Sequence, residues 1–197
     1  MEPTYEYALT SSLSVSFQRY PYPAAGYVTG LATSWGALPY LGTAPQTVVV
    51  PCPGDEAFWI GLVLSPPWEQ HRLQVRASMA SGTWIDAVTG AAISDSESGG
   101  GRDVVTPPQH GIAGIFRTDR TWWAFGRRGG ETSCGEIELR CSCAVSAAAP
   151  AASSPCPEHF SSLVRVKVVD PQRFRALGGI PVPGLDKAHR YGGWRLP

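Results

Sequence analysis

The residues best suited to chemistry lie near the end of the chain. Arg190, Gly192, Gly193 and Trp194 follow shortly after Leu185-Asp186. A guanidinium grips phosphate in a bidentate way, and an indole ring covers a flat ligand by stacking. The paired glycines reach backbone angles that other residues resist. This group reads as a closing arm, spanning 178–197; the plainer reading is a frayed end with a stray tryptophan. A second group, Phe116-Arg117-Thr118-Asp119-Arg120-Thr121-Trp122-Trp123 followed by Arg127-Arg128, interleaves cations with rings. Such interleaving suits single-stranded nucleic acid or the anchors of a protein interface. Its plain reading is a strand of buried tryptophans with solvated arginines. A third group, Cys141, Cys143, Cys156 and His159, has the residue types of a tetrahedral metal site. The spacing matches no strong zinc signature, and cysteine commonly packs as a small hydrophobe. The expectation is no metal and no cofactor. Ser81-Gly82 lacks a nucleophile elbow, and neither a P-loop nor a zinc-protease motif occurs. His71, His110, His159 and His189 are scattered, so no base–nucleophile pair can be argued.

Strands must position these groups, because alternation dominates the chain. Leu13, Val15 and Phe17 alternate with serines, and Leu73, Val75 and Ala77 with Arg72, Gln74 and Arg76. Ile137, Leu139, Cys141 and Cys143 alternate with Glu136, Glu138, Arg140 and Ser142. Val164, Val166 and Val168 alternate with Arg165 and Lys167. Period two means half-buried strands. The continuous runs 47–50 and 57–64 read as strands buried on both faces. Turn residues punctuate them at Pro51-Cys52-Pro53-Gly54, Ser65-Pro66-Pro67, Ser81-Gly82 and Gly129-Gly130. About eight to ten strands are expected, in an all-β sandwich, jelly roll or barrel with long loops. One helical turn is expected near Pro171–Leu177, with proline at its start. The polar stretch 94–103 and the Ala/Ser/Pro-rich stretch 144–157 read as flexible loops inside one domain covering 1–197.

Composition narrows the class. Hydrophobic residues make up 43% of 197, enough for a real core, and 22 glycines with 18 prolines disfavour long helices. Net charge is zero, so no global field draws nucleic acid or an anionic membrane. No apolar run reaches the length of a membrane span, and the acidic start is unlike a signal peptide. Five cysteines, an odd count, read as mostly reduced thiols. The expected location is intracellular. Fourteen arginines against two lysines suit a GC-rich genome, bacterial or that of a large DNA virus.

Read in order, four segments resemble the trimeric dUTPase family. Ala25-Gly26-Tyr27-Val28 is similar to its first motif, Ala-Gly-x-Asp-Leu. Met79-Ala80-Ser81-Gly82 is similar to its second, Pro-Arg-Ser-Gly. Ala113-Gly114-Ile115-Phe116-Arg117 is similar to its third, Ala-Gly-Val-Ile-Asp. Leu185-Asp186, Arg190 and Gly192-Gly193-Trp194 resemble its C-terminal arm. The resemblance spans about residues 20–195. It implies a jelly-roll-like β fold, usually a homotrimer, with active sites between subunits and an arm that closes over the nucleotide.

The charged positions of those motifs are changed. Arg117 stands at the position of the water-activating aspartate, and a guanidinium cannot act as a base at neutral pH. Arg120 stands for the tyrosine that stacks on deoxyribose, Val28 for the first-motif aspartate and Ala80 for the second-motif arginine. The fourth motif is not recognisable. What matches is glycine, small residues and apolar strand positions. The resemblance therefore implies a catalytically inactive dUTPase-related protein that binds another protein, as in large DNA viruses that reuse the fold against host factors. No catalytic residue is assigned. The expected interface comprises Arg117, Arg120, Trp122, Trp123, Arg127 and Arg128, with the loop 85–110. A vestigial nucleotide site would use Ser81, Gly82, Arg190, Gly192, Gly193 and Trp194. The adjacent Trp122 and Trp123 should point to opposite strand faces, one of them outward. Three rivals stay open. A divergent nucleotide pyrophosphatase would draw carboxylates from Asp86, Asp103, Asp119 or Asp186. The others are a carbohydrate- or ligand-binding sandwich and a structural subunit.

Overall fold

In a computed structural model of the chain, apolar alternation becomes two facing sheets. The structure describes residues 4–66, 68–93, 101–117, 119–128, 133–143 and 162–185. The strands in chain order are β1 (Glu6–Ala8), β2 (Leu13–Pro21), β3 (Tyr27–Val28), β4 (Leu41–Ala44), β5 (Thr47–Pro51), β6 (Glu56–Leu64) and β7 (His71–Met79). They continue with β8 (Trp84–Asp86), β9 (Val104–Thr106), β10 (Gly111–Ile112), β11 (Gly114–Phe116), β12 (Trp122–Ala124), β13 (Cys134–Cys143) and β14 (Ser162–Val169). The chain is all-β, as its composition and alternation led us to expect. The strand count exceeds that expectation because half the strands are two or three residues long, too short to show a period.

The larger sheet runs β4-β5-β14-β13-β7-β8, with β9 sharing the outer edge of β7 with β8. Its register explains the alternation. Ile137 stands opposite Ala77 on one side and Val166 on the other, and Val166 opposite Val48. Leu139 likewise lies between Val75 and Val164. These rows face the second sheet, β1-β2-β6-β10, whose Leu13, Val15, Phe17, Phe58, Ile60 and Leu62 complete one buried cluster. Cross-strand rows of β-branched and leucine side chains are the unit of sheet stability. The pairing of β5 with β14 is parallel and all the others are antiparallel.

The strand β2 departs from the half-buried pattern. Ser16, Gln18 and Arg19 are as buried as the apolar residues between them. Arg19 alternates onto the inner face with Val15 and Phe17; for Ser16 and Gln18 the cause is a roof over the outer face of β2 and β6. Residues 22–37 and a small sheet, β11-β12-β3, lie across it, and Tyr20, Ala57 and Ala124 are buried beneath with Tyr22, Val28 and Trp59. Several polar groups under the roof are satisfied locally. Trp59 Nε1 donates to the Ala32 carbonyl at 3.0 Å, Ser34 to Gln18 at 2.6 Å, and Gln18 to Ser16 at 2.9 Å. The inner face of the same strands is aromatic: Phe58 stacks on Phe125 at 5.7 Å and meets Phe17 edge-on at 5.8 Å. The β7 strand is covered in a similar way, where Gln74 reaches the Gly101 carbonyl and Asp103. Sequence cannot show a polar strand face to be buried when the cover comes from elsewhere in the chain.

A buried ion pair fixes one end of β2. Arg19 Nε donates to Glu56 at 2.7 Å, and Nη2 contacts both the other Glu56 oxygen and, at 2.9 Å, the Pro183 carbonyl. That last bond ties the segment following the helix α1 (Pro171–Ala176) back to the sheet. The helix is the turn expected around Pro171. Asp170 caps it by accepting from Arg173 N at 2.7 Å, Pro171 opens it, and Phe174 is buried.

Removing one partner of a buried pair strands a charge in a dry site. Glu56→Ala is expected to cost about 3–5 kcal/mol in urea unfolding, and Arg19→Met with Glu56→Leu together much less. A loss below about 1 kcal/mol for the single variant would mean that water solvates the pair.

Candidate functional site

The roof sheet carries the interleaved cations and rings, and it brings them together. In β11, Gly114 pairs with Ala124 of β12. A Cβ on Gly114 would lie 2.0 Å from the Trp123 carbonyl oxygen, so only glycine permits this approach. Gly26 enters β3 with φ +76°, which a side chain resists, and a Cβ there would meet the Trp123 ring and the Tyr22 hydroxyl at 3.7 Å. Tyr27 then pairs with Trp123 across the sheet. The two glycine-containing segments singled out in the sequence, 25–28 and 113–117, thus flank β12 on either side.

Arg117 sits at the centre. Its guanidinium lies 4.1 Å from the Trp123 ring centroid and 4.6 Å from that of Tyr27, and the rings meet edge-to-face at 6.2 Å. Cation–π contacts of this kind contribute about 0.5–2 kcal/mol each. The Nη1 atom is buried and has no hydrogen-bond partner among the described residues, while Nη2 is 3.6 Å from Asp119. Asp119 accepts from the Thr121 hydroxyl; this bond first, and Arg117 after it, holds its carboxyl below the usual range. A carboxylate held low is a weak base. Arg120 is exposed at the tip of the β11–β12 turn with φ +59°, a conformation in which a side chain costs about 1 kcal/mol. Further along, Arg128 lies 5.9 Å over Tyr22, whose hydroxyl donates to the Arg128 carbonyl at 2.8 Å. Arg127 pairs at 3.7 Å with Asp170, the helix cap.

Trp122 and Trp123 are both half-buried. Arg117 covers Trp123, and Phe116 meets Trp122 edge-on at 6.0 Å, so neither ring projects freely as expected. Ser81 and Gly82 occupy the exposed turn between β7 and β8, where Gly82 has φ +81° and its N–H donates to the Met79 carbonyl at 2.8 Å. Arg190, Gly192, Gly193, Trp194, Asp186, Cys156 and His159 lie outside the described residues.

The remaining carboxylate candidates are engaged in holding loops. Asp86 is buried and accepts from the backbone N–H groups of Val88, Thr89 and Arg102 at 2.7, 3.1 and 2.7 Å. Asp103 accepts from Gln74 at 3.2 Å and faces Arg72 at 3.8 Å. Among the described residues no group of three His, Cys, Asp or Glu side chains could hold a metal ion. The buried Cys52 and Cys134 thiols are pushed up to about 12 by burial, which keeps them protonated at neutral pH. No helix among the described residues is long and apolar enough to cross a membrane.

One pairing escaped the sequence reading. The Ser12 hydroxyl lies 3.0 Å from His71 Nε2 and donates to Glu69 at 3.2 Å; His71 Nδ1 faces the Cys141 thiol at 3.8 Å. Ser12 stands 57 residues from Glu69 and 59 from His71, and Cys141 a further 70 along, so no local spacing could reveal the group. Nucleophile–base chemistry needs the serine proton aimed at the imidazole and a substrate within reach. Here Ser12 and His71 are almost fully buried and the hydroxyl points to Glu69, which makes this a packing element.

The chain matches no protein-family model, and comparison with curated proteins and with solved structures finds no match.

Burial lowers the His71 pKa, so the folded state holds the ring neutral where the unfolded chain takes a proton. The unfolded state binds more protons below about pH 6.5, so this contribution is complete above that pH and is lost as pH falls through it. The urea midpoint is expected to drop between pH 7.5 and 5.5 by more in the parent than in His71→Gln. Equal drops would remove His71 as the cause.

Proposed function

We propose that this protein is a non-catalytic binding module that engages another protein through the roof sheet. The observation carrying this reading is the Arg117 guanidinium held between Tyr27 and Trp123 with a buried donor unspent. Arginine and aromatic side chains with partly covered, partly presented surface are the usual energetic centres of protein interfaces. Tyr27 is 36% exposed and stands beside them. The same reading treats the framework as a dUTPase-like scaffold that has lost hydrolysis, acting inside the cell, with a host factor as partner if its genome is viral. The adjacency of 25–28 and 113–117 across β12 supports common use of those segments. Against hydrolysis stand Asp86, Asp103 and Asp119, which are committed to backbone N–H groups, a hydroxyl and arginines rather than to one centre. Metal-assisted phosphate hydrolysis needs such groups to converge.

Two measurements test the reading. The full chain with dUTP and magnesium is expected to release no phosphate above background. A photo-crosslinking residue at position 27 is expected to capture a defined partner that the same residue at 167, on the outer face of the larger sheet, does not. Phosphate release that is abolished by Asp86→Asn, Asp103→Asn or Asp119→Asn would overturn the proposal in favour of a hydrolase.

A further inference from the structure

We infer that the segment recognised by this surface is an acidic peptide, its carboxylates seated against Arg117 and Arg120. This deepens the interface reading above and rests on it. Charge is the first ground. The chain as a whole is neutral, yet residues 117–128 hold four arginines against one aspartate. Arg127 and Arg128 stand past the far end of β12, with Arg127 paired to Asp170, so the excess at the β11–β12 turn is Arg117 and Arg120 against Asp119, and a complementary partner is negative.

The state of the guanidinium is the second ground. Stacking on Trp123 and Tyr27 fixes its plane, and the one carboxylate beside it stands at 3.6 Å, beyond good hydrogen-bond length. Nη1 has no acceptor among the described residues. Nη1 is buried, so a ligand meets only the accessible part of a side chain that is 26% exposed, and a preoriented guanidinium presented there suits a carboxylate.

Backbone strain is the third, independent ground. Arg120 occupies a left-handed conformation at the turn tip, where glycine would sit without penalty. Its side chain is exposed and forms none of the ion pairs found among the described residues. A side chain kept at a conformational cost, without structural return, marks a functional position.

The rings themselves favour this ligand over nucleic acid. Arg117 lies over one face of Trp123, and Tyr27 meets the ring edge-to-face, so little open ring surface is left. Single-stranded nucleic acid requires open ring faces for its bases. A carboxylate requires only the guanidinium edge.

The test is selection of a random-peptide display library of balanced composition on the full chain, with clones re-tested on variants. Clones dependent on Arg117 are expected to be enriched in Asp and Glu. Their affinity should fall by about tenfold or more when salt rises from about 0.1 M to about 0.5 M. Arg120→Gly separates binding from folding: it removes a guanidinium and the strain together. It should weaken the acidic clones by about tenfold while leaving the Tm equal to or above the parent's. Clones that need Arg117 but show no acidic enrichment would overturn the inference and leave the interface reading standing. Clones indifferent to Tyr27, Arg117 and Arg120 variants would overturn both. A single-stranded oligonucleotide that binds the same surface more tightly than the acidic clones would replace the peptide as ligand.

Discussion

The hairpin-like pairing of β2 with β6 is covered on both faces, and the rest of the molecule is arranged around that constraint. Its inner face meets the larger sheet through Phe17, Phe58 and Ile60. Its outer face meets the roof, so polar side chains there find partners within the protein or go without. Gln18, Ser16 and Ser34 close a local chain of hydrogen bonds there, while Arg19 and Glu56, in phase with Phe17 and Phe58 on the inner face, neutralise one another. The Tyr20 hydroxyl is buried with no hydrogen-bond partner among the described residues, and its pKa is raised by burial. The roof is therefore clamped by apolar contact and by hydrogen bonds at once. A candidate site built on it inherits a rigid base.

That rigidity explains how Arg117 can be held between rings. A surface arginine ordinarily samples many rotamers, and ordering it costs entropy. Here the order is imposed by the β3–β12–β11 register, by the missing side chains at Gly26 and Gly114, and by the packing of Trp123 against the main core. Much of the entropic cost of presenting a guanidinium has been met in folding, which is the general logic of preorganised recognition.

Part of this was legible in the residues. The rows Leu73-Val75-Ala77, Ile137-Leu139-Cys141 and Val164-Val166-Val168 announced strands with one apolar face, and the structure places all of them in a single core. Pro171 after Asp170 announced the helix start. Burial of Gln74, Arg76 and Ser16 was illegible, because the covering elements come from distant segments whose strands span two or three residues. For the candidate site, the run 116–128 pointed to the right stretch, but its alternation could not say that the cations would lie on the rings. The contribution of Tyr27 was hidden because nothing in the local sequence links a lone tyrosine to Arg117 before the sheet register does.

The parallel pairing of β5 with β14 has a consequence for how the chain assembles. These strands lie on either side of most of the sequence, yet Val48 and Val50 take their places opposite Val166 and Val168. Until the late strand exists, the early one has an open edge and half its neighbours. Closure of so long a loop is entropically slow, so the sheet is completed as an end-stage event. During synthesis the early half must wait, its valine-rich border unshielded, for the far end of the polypeptide to emerge.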